Sequence, residues 1–289
     1  MRGGFIAEAI PKTLTEIALQ KDARNDMEDI MDAIVIAGGI PQPEEPLYEY
    51  TQGIPKAMLN IAGKPMVQWV LDALGNAKNV DNVIIIGLED AESVTCAKPT
   101  YHIPNQGRML SNIEAGINKM REINPKSEYV ISASADIPAI TGEMIDWLVD
   151  AAMETRHDIY YGVVKKETME ARYPNSNRTF TKLKDMELCG ADIHITHHTM
   201  TTDPEHLAVW DVLIGKRKQP LKQAASVGIW TLVLLLLGRI SLADAVSRVS
   251  KKLNINARAL IWDYAESAMD VDKPHQLEML RADLEKTVS

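Results

Sequence analysis

The run Ala33-Ile-Val-Ile-Ala37 is β-branched and apolar, and it ends in the pair Gly38-Gly39. A short loop later comes Gly53-Ile-Pro55-Lys56-Ala-Met-Leu59, and then Gly63-Lys64-Pro65-Met66. An apolar strand that closes in glycines, with a lysine arriving soon after, is what a polyphosphate pocket at the carboxyl end of a central strand requires. Glycine has no Cβ and tolerates positive φ, so Gly38 and Gly39 can turn sharply and bring backbone N–H groups close to phosphate oxygens. Pro55 fixes the backbone just ahead of Lys56, whose ammonium can reach the phosphate that the amides do not neutralise. For the glycine pair alone, a plain strand-to-loop turn with a solvated lysine is the alternative.

The remaining periodicity predicts strands alternating with helices. A helix opens at Pro65 and runs through Leu74, Val83 to Ile86 is a second strand, and Ser111 to Met120 is a helix. Tyr129 to Ser132 is the next strand, followed directly by a helix from Gly142 to Met153. Such alternation implies right-handed crossovers, a largely parallel sheet and ligands at the strand carboxyl ends. Ahead of the first strand, Thr13-Leu-Thr-Glu16 has the capping-box form, so residues 1–30 are expected to be a helical extension. The 289 residues, 46% hydrophobic and 25% charged, suit one large α/β domain over 31–289, with an insertion at about 160–222.

Charge and cysteine usage narrow the function. A formal charge of -9 argues against nucleic acid or an anionic membrane as the main partner, since both are bound through basic surface. Cys96 and Cys189 are too few for a disulfide scaffold and lack metal-ligand spacing, so a reducing, cytoplasmic setting is expected. The most apolar run, Trp230 to Leu237, ends at Gly238-Arg239. That is far short of the roughly 20 residues of a membrane span. A buried helix or a partner-facing surface, including that of a homodimer, is the expectation there.

Three further segments carry chemistry. The strand Tyr129-Val-Ile-Ser-Ala-Ser-Ala135 runs into Asp136-Ile-Pro138, and Thr141 can cap the next helix. A carboxylate at such a strand end can hold magnesium, a hard cation that shares its coordination with phosphates and water, although aspartate before a plain turn is common. In Asp270-Val271-Asp272-Lys273-Pro274, strand alternation puts both aspartates on one face, while Pro274 suits the first turn of a final helix that Asp272 could cap. Gly107-Arg108-Met-Leu-Ser111 offers a guanidinium fork and a hydroxyl to a base or phosphates, or else an N-cap serine and a surface charge. His194, His197 and His198 tempt a zinc reading, but on a strand His194 and His198 share a face while His197 points the other way. Acceptor recognition or simple exposure is preferred for them. Lys182 and Lys184 could face an acceptor phosphate or solvent.

Two familiar phosphate motifs are absent: there is no GxxxxGK[ST] loop, and the glycines lack GxGxxG spacing. The chain instead resembles the nucleotidyltransferase superfamily with a glycosyltransferase-A-like fold. That superfamily includes molybdenum-cofactor guanylyltransferases, sugar-1-phosphate nucleotidyltransferases and the cytidylyltransferase of isoprenoid synthesis. Its members open with an LAGG-like strand end, an arginine-bearing loop and PKxLxxxxGKPM. Here Ala37-Gly38-Gly39, Lys56 and Gly63-Lys64-Pro65-Met66 fit, while the arginine is replaced by an acidic, proline-rich loop carrying Glu44, Glu45 and Glu49. Arg108 is the candidate stand-in.

The resemblance implies a three-layer α/β sandwich with a mostly parallel central sheet and a glycine-aspartate strand at Gly190-Ala-Asp192 shaping an acceptor pocket. It implies a metal site of Asp136 and Asp270, with Asp272 as second ligand or cap, and Lys56, Asp136 and Asp270 as catalytic residues. The nucleotide would lie on Ala37, Gly38, Gly39, Lys56, Gly107, Arg108 and Ser111. The implied reaction is magnesium-dependent transfer of a nucleoside monophosphate from an NTP to a phosphorylated small-molecule acceptor, releasing pyrophosphate. A non-catalytic nucleotide-binding or assembly subunit, and a glycosyltransferase using a nucleotide sugar, are the other classes the sequence leaves open.

Overall fold

The computed structural model describes residues 30–88, 91–203, 206–207 and 229–288. The expected N-terminal extension lies outside them apart from Ile30. The apolar run that opens the chain is strand β1 (Met31–Ile36), buried almost throughout. A short helix α1 (Tyr48–Thr51) and a two-stranded ribbon, β2 (Asn60–Ile61) with β3 (Lys64–Pro65), lead into helix α2 (Met66–Asn76) and strand β4 (Val80–Ile86). Strand β5 (Thr100–Ile103) follows β4 with no α-helix among the described residues between them, and helix α3 (Met109–Ile123) then crosses to strand β6 (Tyr129–Ser134). β4 and β6 both pair parallel with β1, on opposite sides, and β5 pairs parallel with β4.

The strand order therefore reverses at β1: the chain first builds outward through β4 and β5, then returns to lay β6 on the other flank. A reversal of this kind leaves a crevice between the carboxyl ends of β1 and β6, because the connections leave in opposite directions.

Beyond β6 the sheet mixes directions. Helix α4 (Gly142–Met153) is followed by strand β7 (Ile159–Lys165), helix α5 (Lys166–Arg172), the short β8 (Thr181–Lys182), β9 (Glu187–Gly190) and β10 (Ile193–His197). β10 runs antiparallel between β6 and the start of β7, and β9 runs antiparallel along the rest of β7. Helices α6 (Thr199–Thr202), α7 (Ile229–Leu236) and α8 (Leu242–Leu253) precede strand β11 (Ala257–Trp262), which lies parallel to β7, and helix α9 (Pro274–Val288) ends the described chain. Residues 160–197 thus contribute strands to the main sheet itself.

Alternation along β1 explains the three layers. Ile34 shares one face of the sheet with Ile84, Ile86 and Val130, packed with Ile117 and Met120 of α3. Ala33 and Val35 belong to the larger core on the other face, together with Val70 and Leu74 of α2 and Leu148 and Val149 of α4. Burying a branched side chain of this size contributes about 1.5–3 kcal/mol, so a central strand covered on both faces is strongly specified. Helix α3 is drawn close by Gly116, where a Cβ would lie 2.7 Å from Ile34 Cδ1. The Thr141 hydroxyl accepts from the Met144 N–H at 3.4 Å and caps α4, as the sequence predicts. Helix α7 packs Leu234 and Leu235 against Val163, Leu183, Leu188 and Ile240. No helix among the described residues is long and apolar enough to cross a membrane.

The histidines depart from the expected pattern. β10 ends at His197, and His198 already has helical backbone at the N-cap of α6, so His198 does not continue the strand alternation with His194. The His197 and His198 rings stack on each other at 4.6 Å, while His194 stacks on Tyr161 at 4.5 Å and its Nδ1 accepts from the Gly162 N–H at 3.2 Å. These are packing and hydrogen-bonding roles.

Two outcomes test this packing. Gly116→Val should destabilise the fold by about 1–3 kcal/mol in urea unfolding. Combining it with Ile34→Ala should cost less than the two single changes added together, because they share one contact. Burial lowers the His194 pKa from 6.5 to about 4, so between those values the unfolded chain holds more protons than the native one. The stabilisation is complete above pH 6.5 and is lost as pH falls toward 4. Between pH 7 and pH 4, wild-type protein should lose about 3 kcal/mol more stability than His194→Gln.

Candidate active site

The crevice at the β1–β6 reversal is floored by two glycines. Ala37 continues the ladder, its N–H donating to the Ile86 carbonyl at 2.9 Å. A Cβ on Gly38 would lie 2.8 Å from Asn105 Nδ2 and 3.0 Å from Gly87 Cα, and one on Gly87, whose φ is +91°, would lie 2.5 Å from Gly38 Cα. Gly38 is therefore required by backbone-on-backbone packing with the end of β4, a reason the sequence reading did not supply. A Cβ on Gly39 would meet nothing within 4 Å. The space above the strand end is open there, as approach of a ligand needs.

Asn105, in the loop after β5, ties this turn to the next one. Its Nδ2 donates to the Gly38 carbonyl at 3.3 Å, and its Oδ1 accepts from the Gly107 N–H at 2.9 Å and from Asn112 Nδ2 at 3.2 Å. Gly107 and the exposed Arg108 are thereby carried beside the glycine turn. α3 begins at Met109 with Arg108 at its N-cap, so Ser111 lies inside the first turn of the helix, past the cap position.

Lys56 joins the strand end to the carboxylates. Its N–H donates to the Gly39 carbonyl at 2.8 Å, and Pro55, at φ −55°, starts the 3-10 turn Lys56–Met58. From there its ammonium reaches Asp136 Oδ2 at 2.6 Å and Asp272 Oδ1 at 2.8 Å. Asp136 follows β6, held by the Ala135 N–H donating to the Ile36 carbonyl at 3.2 Å. Its own carbonyl accepts from the Val271 N–H at 3.0 Å, which seats Asp270 and Asp272 beside it although they are far away in sequence. Gln276 secures that segment: its Oε1 accepts from the N–H groups of Asp272 and Lys273 at 2.9 Å each, and its Nε2 donates to the Ser176 carbonyl at 3.2 Å. The segment is not the strand that the sequence suggested, and Asp272 turns its side chain to Lys56 rather than capping α9.

Oxygen atoms of Asp136, Asp270 and Asp272 all lie within 4.8 Å of one another. Asp136 Oδ1 is buried and has no hydrogen-bond partner. A donor set made only of carboxylate oxygens, one of them buried and unsatisfied, fits a hard divalent cation such as magnesium.

Two further residues complete the cluster: Arg178, which the sequence did not flag, and Asp192, expected only in a strand shaping an acceptor pocket. Arg178 pairs closely with Asp270 and approaches Asp192 Oδ2 at 3.5 Å. Asp192 lies at the break between β9 and β10, fixed by its N–H donating to the Ser267 carbonyl and its own carbonyl accepting from the Ser134 N–H. Four carboxylates thus face Lys56 and Arg178, with Lys273 lining the same cleft, so the cluster keeps a formal excess of negative charge. The electrostatics follow. Burial opposes the charge on Lys56, but Asp136 and Asp272 more than offset it and raise the lysine's pKa. Burial also works against the Asp272 carboxylate, yet Lys56 beside it brings its pKa below the ordinary value. At Asp192, burial and then the charges of Asp136 and Asp272 outweigh Arg178, pushing its pKa up to about 7.

Asn175 and Asn177, just ahead of Arg178, adopt positive φ, 65° and 55°. Nothing local, however, announced that Arg178 meets an aspartate near the other end of the chain. Lys182 and Lys184 do not line the cleft beside these carboxylates. Cys96 and Cys189 are free thiols, and burial raises the pKa of both.

Among solved structures, a hypothetical transferase structure from Thermus thermophilus is 31% identical, with a TM-score of 0.74, over 86% of this chain and 99% of that one. A CMP:2-keto-3-deoxy-manno-octonic acid synthetase complexed with CTP aligns at TM-score 0.54 and 14% identity, over 89% of this chain and 99% of that one. The 4-diphosphocytidyl-2C-methyl-D-erythritol synthase of Anaerococcus prevotii aligns at 0.53 and 12%, over 89% and 96%. At these lower identities the likeness is one of fold. A search of curated proteins found no match by sequence. Residues 33–251 match the family described as MobA-like NTP transferase domain, a span that takes in the glycine turn, Lys56, Asp136, Arg178 and Asp192. With the strand order and the strand-end carboxylates in agreement, the chain belongs to the MobA-like NTP transferase family.

Proposed function

We propose that the protein transfers a nucleoside monophosphate from an NTP to a phosphorylated small-molecule acceptor, releases pyrophosphate and depends on magnesium. One observation carries this reading: Lys56, Asp136, Asp270 and Asp272 converge at the carboxyl ends of β1 and β6, where the strand order reverses. Asp136 and Asp270, with Asp272, would hold the magnesium ion. When bound, the ion would neutralise phosphate charge in a cluster that carries excess negative charge without it.

The protein's own residues account for the rest of the chemistry. The amides of the Gly38-Gly39 turn receive the pyrophosphate end of the nucleotide, in the open space above Gly39. Arg108, brought alongside by Asn105, contributes the cation that the acidic loop with Glu44, Glu45 and Glu49 does not. Lys56 places its ammonium where charge grows on the α-phosphate. An acceptor phosphate oxygen is already anionic at neutral pH, so no general base is needed. That oxygen bonds to the α-phosphorus while the bond from the α-phosphorus to the bridging oxygen breaks, and pyrophosphate leaves with the electron pair. Catalysis is then alignment and charge neutralisation. The insertion expected at 160–222 supplies the acceptor side through its residues 160–203; of the remainder, only 206–207 lie among the described residues.

Pyrophosphate release, measured across the four NTPs with magnesium against a panel of phosphorylated acceptors, should single out at least one productive pair. Chelation of the metal should abolish that activity. Asp136→Ala should lose turnover while keeping a cooperative thermal transition; wild-type turnover in that variant would remove Asp136 from the site. If no nucleotide binds or turns over, the enzyme reading fails.

A further inference from the structure

Arg178 offsets the carboxylates around it, but the reaction above gives it no part. The loop that carries it is docked on the C-terminal segment: the Ser176 carbonyl accepts from Gln276 Nε2 at 3.2 Å and lies 3.0 Å from His275 Nε2, and the Asn177 carbonyl accepts from Lys273 Nζ at 3.4 Å. So fixed, the guanidinium lies against Asp270, one of the three carboxylates that could hold the cation. Its remaining donors are poorly used. Nη2 reaches the Gly190 carbonyl only at 3.4 Å and Asp192 only at 3.5 Å, and Nε is buried with no partner. Beside it opens a cleft of about 420 Å³, lined also by Tyr161, Asn177, Thr179, Asp192 and Lys273.

A guanidinium with two under-used N–H edges, next to a lysine and facing an open polar cleft, suits the fork geometry of a phosphoryl group. The same guanidinium, while it lies on Asp270, competes with any cation for that carboxylate. We infer that the cleft is a phosphoryl subsite whose occupant takes Arg178 from Asp270, so that filling the subsite strengthens cation binding by Asp136, Asp270 and Asp272. The inference rests on reading those carboxylates as a cation site, and assigns to Arg178 a positioning role toward Asp270. By linkage the effect is reciprocal: the cation strengthens phosphoryl binding by the same factor. Acceptor and metal then load together, and a site lacking the acceptor holds its metal weakly.

Mn2+ binding to the full chain, read from the free-ion paramagnetic resonance signal at constant ionic strength, tests this with inorganic phosphate as the probe. Phosphate should tighten Mn2+ binding to the wild type by about tenfold. Arg178→Gln should bind Mn2+ about tenfold more tightly than wild type without phosphate, since a competing charge is gone, and should gain nothing further from phosphate. Arg178→Lys keeps the charge and should match the wild type without phosphate, which guards against an Arg178→Gln chain that fails to fold. Unchanged or weaker Mn2+ binding in Arg178→Gln, or a phosphate effect as large as that of the wild type, would overturn the inference. Mn2+ binding that survives Asp136→Ala would instead strike the cation site itself, so the two failures are distinguishable.

Discussion

Carboxylates crowded at one end of a sheet are costly, because each loses water and repels its neighbours. Asp136, Asp192, Asp270 and Asp272 are held in this way, and the cluster persists because Lys56 and Arg178 lie among them. The two cations come from different places. Lys56 is clipped by its backbone to the glycine turn, and Arg178 is delivered by a loop docked on the residues just before α9. Much of the architecture serves to bring these charges together and to leave the carboxylates in formal excess.

The sheet topology makes that convergence geometrically cheap. β1 and β6 are parallel neighbours whose chain connections leave in opposite directions, so their carboxyl ends present the glycine turn and Asp136 across one crevice. The antiparallel β10 beside β6, with β9 ahead of it along β7, then places Asp192 at the break between them facing the same crevice. A single backbone hydrogen bond, from the Val271 N–H to the Asp136 carbonyl, closes the cluster from the C-terminal side. Acidic groups that no single segment could place are gathered by three separate crossings of the sheet.

What was legible in the sequence follows from this. β1, β4 and β6, the helices packed on them, and the Thr141 cap are governed by local periodicity and capping, and they stand where the pattern predicts. Lys56 follows the glycine turn and Asp136 ends a strand, so both stand out locally, while Asp270 and Asp272 stand out through their place ahead of Pro274 and the family resemblance. Arg178 and Asn105 were not, since their roles depend on partners 92 and 67 positions away, and no periodicity encodes such a meeting. The reason for Gly38 was also hidden: its partner in close packing is Gly87, at the end of a different strand. The histidines misled because strand alternation was extended past His197, where the chain had already turned into α6.

One cation and one nucleotide must share the crevice for this chemistry to run. Anomalous diffraction from crystals grown with Mn2+ and a non-hydrolysable NTP analogue addresses that claim directly. An anomalous peak is expected within ligand distance of the Asp136 and Asp270 carboxylates, with the triphosphate over the Gly38-Gly39 turn and Lys56 beside the α-phosphate. A nucleotide bound elsewhere, or a peak remote from both aspartates, would contradict it.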